Sequence, residues 1–260
     1  MNILNAIIEQ KLLEISIQSV KQPIEDLKTI ERETPIRDFK SIFERNEIKI
    51  IPEVKQKLFF KDEKKDTKVV LDIINDCEKN GASSISLLTD NYFFDGSLKF
   101  INKVKQKTKV PIIQKDFIIS EYQIHQSFLY GSDAIILIAE LLDYYQLKDF
   151  YNIANGIGLE VLIEFHSLDM LETINKINPN YIIASSRDFN TMKVNLQYFE
   201  ILNSLLPESS KILVDGGIKS IDDIQYINNL NYNGVFIGAN FMTKDSPGKV
   251  LKSLLRGKEF

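Results

Sequence analysis

The chain has 260 residues, 44% of them hydrophobic, and carries 32 Lys and Arg against 36 Asp and Glu for a formal net charge of −4. That is enough apolar material for one large α/β domain or two small ones, and the mild, scattered charge argues against a nucleic-acid partner while allowing a local phosphate site. The single cysteine, Cys77, excludes an internal disulfide framework, and the two histidines, His125 and His166, lack the spacing of metal ligands.

In chain order, residues 1–47 read as a helical extension. Ile3, Ile7, Ile8, Leu12, Leu13, Ile15 and Ile17 make its first helix amphipathic, and Pro23 and Pro35 break the stretch after it. With no charged or Gly/Ser-rich linker at its end, this segment is expected to pack on the domain formed by residues 48–260. From there apolar runs alternate with amphipathic stretches. Strands are predicted at 48–54, 84–88, 110–114, 134–138, 160–164, 181–185, 212–215 and 234–237. Helices are predicted at 67–80, 98–107, 121–130, 144–157, 168–177, 196–206 and 221–230, several ending in Gly or Asn. Cys77 falls in the first of these as a small packed hydrophobe. Continuous apolar strands alternating with helices imply a parallel sheet, and eight such units fit an α/β fold of the (β/α)8 TIM barrel type with an N-terminal helical extension. No Gly-x-Gly-x-x-Gly comes after the first strand, so a dinucleotide-binding open sheet is disfavoured. No leader pattern and no apolar run of membrane-spanning length is present, so no membrane partner and a cytoplasmic location are expected.

In such a barrel the C-terminal strand ends face the reaction site. Those ends carry Glu53 and Lys55, then Asp90, Lys115, Glu164, Ser185 with Arg187, Asp215-Gly216-Gly217, and Gly238-Ala239. Taken alone, Lys115 reads as a solvated lysine where a short strand emerges, and each acid as half of a structural ion pair. Their recurrence on strand after strand favours a site: two lysines and two glutamates supply acids and bases. The glycines after the last two strands fit a phosphate grip, since small residues let backbone N–H groups approach oxygens. A phosphorylated small molecule is the expected partner.

Three stretches narrow the chemistry. Residues 88–97 read Leu-Thr-Asp-Asn-Tyr-Phe-Phe-Asp-Gly-Ser, residues 115–124 read Lys-Asp-Phe-Ile-Ile-Ser-Glu-Tyr-Gln-Ile, and residues 158–166 read Gly-Leu-Glu-Val-Leu-Ile-Glu-Phe-His. With Arg37-Asp38-Phe39-Lys40 and Ile51-Pro52-Glu53-Val54-Lys55, the chain resembles the indole-3-glycerol phosphate synthase family of tryptophan biosynthesis from its first helix to near its end. The resemblance implies a carboxy-lyase that closes a carbon–carbon bond in 1-(2-carboxyphenylamino)-1-deoxyribulose 5-phosphate, then loses CO₂ and water. It implies Lys115 as the general acid for closure and Glu164 as the base for dehydration. Lys55 would hold anionic groups and protonate the departing hydroxyl, and Glu53 would orient the lysines. No metal or organic cofactor is implied, and a monomer or weak homo-oligomer is expected.

The chain also departs from the family pattern. The Lys-x-Ser-Pro-Ser loop is replaced at residues 56–61, where Phe59 and Phe60 stand. Asn-x-Arg becomes Ser185-Ser186-Arg187, Ser-Glu-Ser-Gly becomes Val214-Asp215-Gly216-Gly217, Ala239 replaces a serine or glutamate, and Gln114 replaces a basic residue. Two readings compete: a synthase whose loops have drifted, or a paralogue that applies the same Lys/Glu set to another arylamine or phosphorylated substrate. A third, a non-catalytic binding barrel, would be expected to lose the catalytic charges. His166 is expected to make a structural hydrogen bond, and His125 to lie on the surface or in helix packing.

Overall fold

The computed structural model describes residues 3–257 except 46, 56–65, 189–190, 192, 203, 239–240 and 242–245. Eight parallel strands close into a barrel in sequence order: β1 (Lys49–Val54), β2 (Ile85–Leu88), β3 (Ile112–Lys115), β4 (Ala134–Ile138), β5 (Glu160–Phe165), β6 (Tyr181–Ser185), β7 (Lys211–Asp215) and β8 (Gly234–Ile237), with β8 paired to β1. Around them lie α3 (Thr67–Lys79), α4 (Phe100–Lys105), α5 (Glu121–Tyr130), α6 (Tyr144–Gly156), α7 (Leu171–Ile177), α8 (Tyr198–Leu202), α9 (Ile221–Asn229) and α10 (Pro247–Leu255). Two helices precede the barrel, α1 (Ile3–Lys21) and α2 (Ile24–Thr29).

Alternation along the strands sorts their side chains into two apolar layers. Ile51, Ile113, Ile136, Leu162, Ile183, Leu213 and Phe236 fill the barrel interior. Their neighbours, such as Ile112, Ile135, Ile163 and Val214, pack outward against helical residues including Val70, Ile74 and the fully buried Cys77. Both faces are covered, which is why the strands read as unbroken apolar runs. The same parity carries the site. Two residues past an interior position the side chain again points inward, now at the C-terminal mouth, as Glu53 does after Ile51 and Lys115 after Ile113.

The predicted strands are matched within two residues at either end. β3 starts later than expected because Pro111 has no N–H for the ladder, and the Val110 carbonyl is instead taken by the Arg37 guanidinium at 2.7 Å. Three helices are shorter or more broken than predicted. α4 and α8 are closed at their ends by i→i+3 bonds, such as Lys107 N–H to the Val104 carbonyl and Phe199 N–H to that of Leu196. Residues Leu168–Met170 form a separate 3₁₀ turn before α7. Elsewhere local chemistry holds the helix starts: Ser120 caps α5, and capping boxes Asp143/Gln146 and Ser220/Asp223 open α6 and α9.

The N-terminal segment differs most from expectation. The predicted apolar face of α1 is rotated: Leu12, Leu13 and Ile17 are at least half exposed, whereas Ile7 and Lys11 are buried. Lys11 reaches Asp90 at 2.6 Å and Asp116 at 2.9 Å, tying α1 to the ends of β2 and β3. At the opposite end of the barrel the segment after α2 is pinned by buried Asp133. Its Oδ1 receives Lys105 Nζ at 2.7 Å and the Arg37 N–H at 2.8 Å, with Arg32 at 3.4 Å. Phe39 packs edge-on against Tyr181 there, at 5.1 Å between ring centroids.

Candidate active site

Four strand ends place their charges in one cluster. Lys115, the last residue of β3, lies 3.0 Å from Glu53 Oε2, 3.5 Å from Glu164 Oε2 and 2.7 Å from Asp215 Oδ2. Lys55, just past β1, lies 2.7 Å from Glu53 Oε1. The residues predicted as acids and bases therefore meet, although they lie as far apart in sequence as Glu53 and Glu164.

The electrostatics come from burial opposed by pairing. Burial alone would push the Lys115 ammonium down, but Asp215, Glu164 and Glu53 outweigh it and hold its pKa well above the ordinary lysine value. Burial would likewise raise Glu53, yet Lys115 and Lys55 hold its carboxyl well below the usual range. For Glu164 burial is overcome by Lys115 and His166, and its pKa falls. At neutral pH Lys115 is therefore a charged acid held beside the charged carboxylates of Glu53 and Glu164.

The carboxylate of Asp215, predicted among the substrate-holding residues, makes one of the two shortest contacts of the cluster, so this departure from the family pattern falls on the Lys115 network. The adjoining Gly216 and Gly217 have φ of +89° and +86°. A Cβ on Gly216 would lie 3.0 Å from Ser186 Oγ and one on Gly217 2.9 Å from Leu196 Cδ2, so backbone shape and packing both call for glycine. Ser186 Oγ donates to the Gly216 carbonyl at 3.0 Å, joining the loops after β6 and β7. Ser185 is buried, and its Oγ accepts the Arg187 N–H at 3.4 Å. Arg187 itself is half-buried and bridges Val194 in a short antiparallel turn. Just past β8, Gly238 leaves the space Glu53 occupies, since a Cβ there would lie 2.9 Å from Glu53 Oε1. Ala239 and the loop at 56–61, with Phe59 and Phe60, lie outside the described residues.

One expectation is corrected. Asp90 does not join the Lys115 cluster; it pairs with Lys11 and accepts the Phe93 N–H at 2.6 Å, shaping the loop after β2. Gln114 points to the other side of β3 from Lys115, where its Oε1 accepts from Ser132 Oγ at 2.7 Å.

Sequence reasoning also passed over several contributors. Phe93, Phe94 and Phe117 gather beside the mouth, with Phe94 lying 5.6 Å from Lys55 Nζ. Lys11 was hidden by its charge, although it lies one turn after Ile7 on the same helix face. His166, predicted to make a structural hydrogen bond, places Nδ1 2.9 Å from the Arg187 carbonyl and Nε2 3.2 Å from Glu164 Oε1. Of the two places predicted for His125, helix packing is the one observed: it is buried in α5 against Glu121 at 3.2 Å.

A family model described as indole-3-glycerol phosphate synthase matches residues 4–254. Among curated proteins, the indole-3-glycerol phosphate synthase of a Thermoanaerobacter species is 34% identical over 240 residues, covering 92% of each chain. That of Clostridium kluyveri is 34% identical over 249 residues, covering 93% of each. Among solved structures, orotidine 5'-phosphate decarboxylase from Pyrococcus horikoshii aligns with a TM-score of 0.62 at 15% identity, over 80% of this chain and 98% of that one. A 3-hexulose-6-phosphate synthase aligns with a TM-score of 0.65 at 12% identity, over 81% and 100%. At such identities the two structures speak for the barrel alone.

Proposed function

The chain belongs to the indole-3-glycerol phosphate synthase family, and on that premise we propose that it is the carboxy-lyase that makes indole-3-glycerol phosphate in tryptophan biosynthesis. The observation that carries the reading is the Lys115 cluster, in which the acid Lys115 touches the base Glu164 and also Glu53, and Glu53 in turn touches the second lysine, Lys55. The substrate is 1-(2-carboxyphenylamino)-1-deoxyribulose 5-phosphate. Its aryl ring suits the Phe93, Phe94 and Phe117 surface, and its carboxylate suits Lys55.

In the first stage the ring carbon bearing the carboxylate attacks the ketose carbonyl, and Lys115 delivers a proton to the carbonyl oxygen as it becomes a hydroxyl. Loss of CO₂ leaves its bonding electrons in the ring. In the second stage Lys55 protonates the hydroxyl, which leaves as water, and Glu164 removes the proton whose departure completes the indole. Glu53 touches both lysines and orients them. Ser185, Arg187, Asp215, Gly216, Gly217, Gly238 and Ala239 are the proposed substrate- and phosphate-holding set. No metal or organic cofactor enters these steps. Residues 1–47 serve as an extension packed on the barrel of 48–260, and the protein works in the cytoplasm as a monomer or weak homo-oligomer.

The test is turnover. Purified protein given this substrate should produce the indole chromophore and one CO₂ per indole. Binding of the substrate without either product would exclude the synthase reading.

A further inference from the structure

His166 is set between two acceptors. A backbone carbonyl only accepts, so Nδ1, 2.9 Å from the Arg187 oxygen, must carry a proton. Nε2 lies 3.2 Å from Oε1 of Glu164, and an ionised carboxylate also only accepts. A neutral imidazole satisfies one of these neighbours and turns a lone pair on the other. The side chain of His166 is 7% exposed, and several elements meet around the residue. The His166 backbone N–H donates at 2.6 Å to Glu140, from the turn after β4; its backbone carbonyl accepts from the Tyr198 hydroxyl of α8 at 3.4 Å; and Lys115 lies on the far side of Glu164. Charge balance points the same way. The carboxylates of Glu53, Glu164, Asp215 and Glu140 outnumber two ammonium groups, Lys55 and Lys115, and an imidazolium at His166 reduces that excess of negative charge.

We propose that His166 is a positioning residue for Glu164: a doubly protonated imidazole that bridges the Arg187 carbonyl and Glu164 Oε1, leaving Oε2 as the face that works on the substrate. The inference rests on the role of Glu164 as the base and extends it. Burial would lower the imidazole pKa, but Glu164 and Glu140 outweigh it and raise it above the ordinary histidine value. Loss of the proton on the alkaline side turns the Nε2 lone pair onto Glu164 and drives the base from its place. Lys115 does not produce that limb, because its own proton is held to still higher pH.

The chain's two histidines make the test direct. In wild-type protein labelled with ¹⁵N-histidine, and with His125→Gln used for assignment, both His166 nitrogens should keep imidazolium shifts to higher pH than those of free histidine. Titration of His166 at or below the pH of free histidine overturns the proposal, and this reading does not depend on any variant folding. In kinetics, His166→Gln should lower kcat roughly ten- to a hundredfold with KM within about threefold, the loss expected for a charge-assisted hydrogen bond. It should also abolish the alkaline limb that His166 supplies. A variant that keeps this limb overturns the proposal, since a merely structural histidine would change rate or stability without moving it. Wild-type protein that fails to turn over the substrate would remove the synthase reading and leave the nitrogen shifts to decide this one.

Discussion

Lys115 is held by three carboxylates, and that one arrangement sets both what it can do and what it needs. Glu53, Glu164 and Asp215 keep its proton in place at neutral pH, as a general acid requires, but they also make the proton hard to give up. An anionic substrate that competes for Asp215 or Lys55 would loosen this hold as it binds. Replacing Lys115 with Met should lower kcat by roughly 10²- to 10⁴-fold, measured by indole formation at saturating substrate, with the fold intact by circular dichroism. Gly238 offers a more selective test. In Gly238→Ala the added methyl would meet Glu53 Oε1 at 2.9 Å and push it from Lys55, so kcat should drop about tenfold or more while the melting temperature stays within a few degrees. The need for glycine at 238 is a matter of space and could not be read from a motif. Glu53, Lys55, Lys115 and Glu164 were legible because strand ends recur at regular intervals and barrel parity turns each inward. Asp215 was legible as a mouth residue but not as a partner of Lys115, since sequence spacing carries no distance across a barrel.

Among the elements, the N-terminal segment is where sequence pattern and structure part. Apolar spacing predicted the existence of α1 but not its buried face, because a lysine occupies a core position and exposed leucines occupy the others. Hydropathy cannot register that a charge is paired with acids nearly 80 residues or more downstream. Lys11→Met would leave Asp90 and Asp116 facing each other without their cation, at a cost of about 3–5 kcal/mol. Urea denaturation should show that loss, and amide exchange should show α1 opening first. At the other end of the barrel, burial and the neighbouring Arg37 and Arg32 outweigh Asp133 and lower Lys105 to about 8. An unfolded lysine titrates near 10.5, so between these values the unfolded chain binds more protons than the folded one, and this group adds stability as pH rises. Wild type should therefore gain stability relative to Lys105→Met between pH 8 and about 9.5, before tyrosine ionisation intervenes. A constant difference between the two denaturation curves over that range would contradict this.

At the scale of the whole molecule, closure of the barrel does what no single segment does. It converts eight short apolar runs into an interior packed by Ile51, Ile113, Leu162, Leu213 and their neighbours, and it gathers the residues two steps further on into one mouth. The fold was legible for that reason: strands buried on both faces leave continuous apolar runs, and parallel pairing requires the helices between them. Helix ends were less legible, because i→i+3 turns at α4 and α8 depend on packing rather than composition. The same barrel carries other names at 12–15% identity, so the chemistry belongs to the mouth. The order of steps assigned to that mouth is open to one direct measurement: CO₂ and indole monitored together in a single turnover of Lys115→Met and Glu164→Gln. With Lys115 acting in ring closure and Glu164 in dehydration, Glu164→Gln should release CO₂ ahead of indole, and Lys115→Met should slow the release of both together. Release of CO₂ by Lys115→Met at the wild-type rate, or equal loss of both products in Glu164→Gln, would contradict the account.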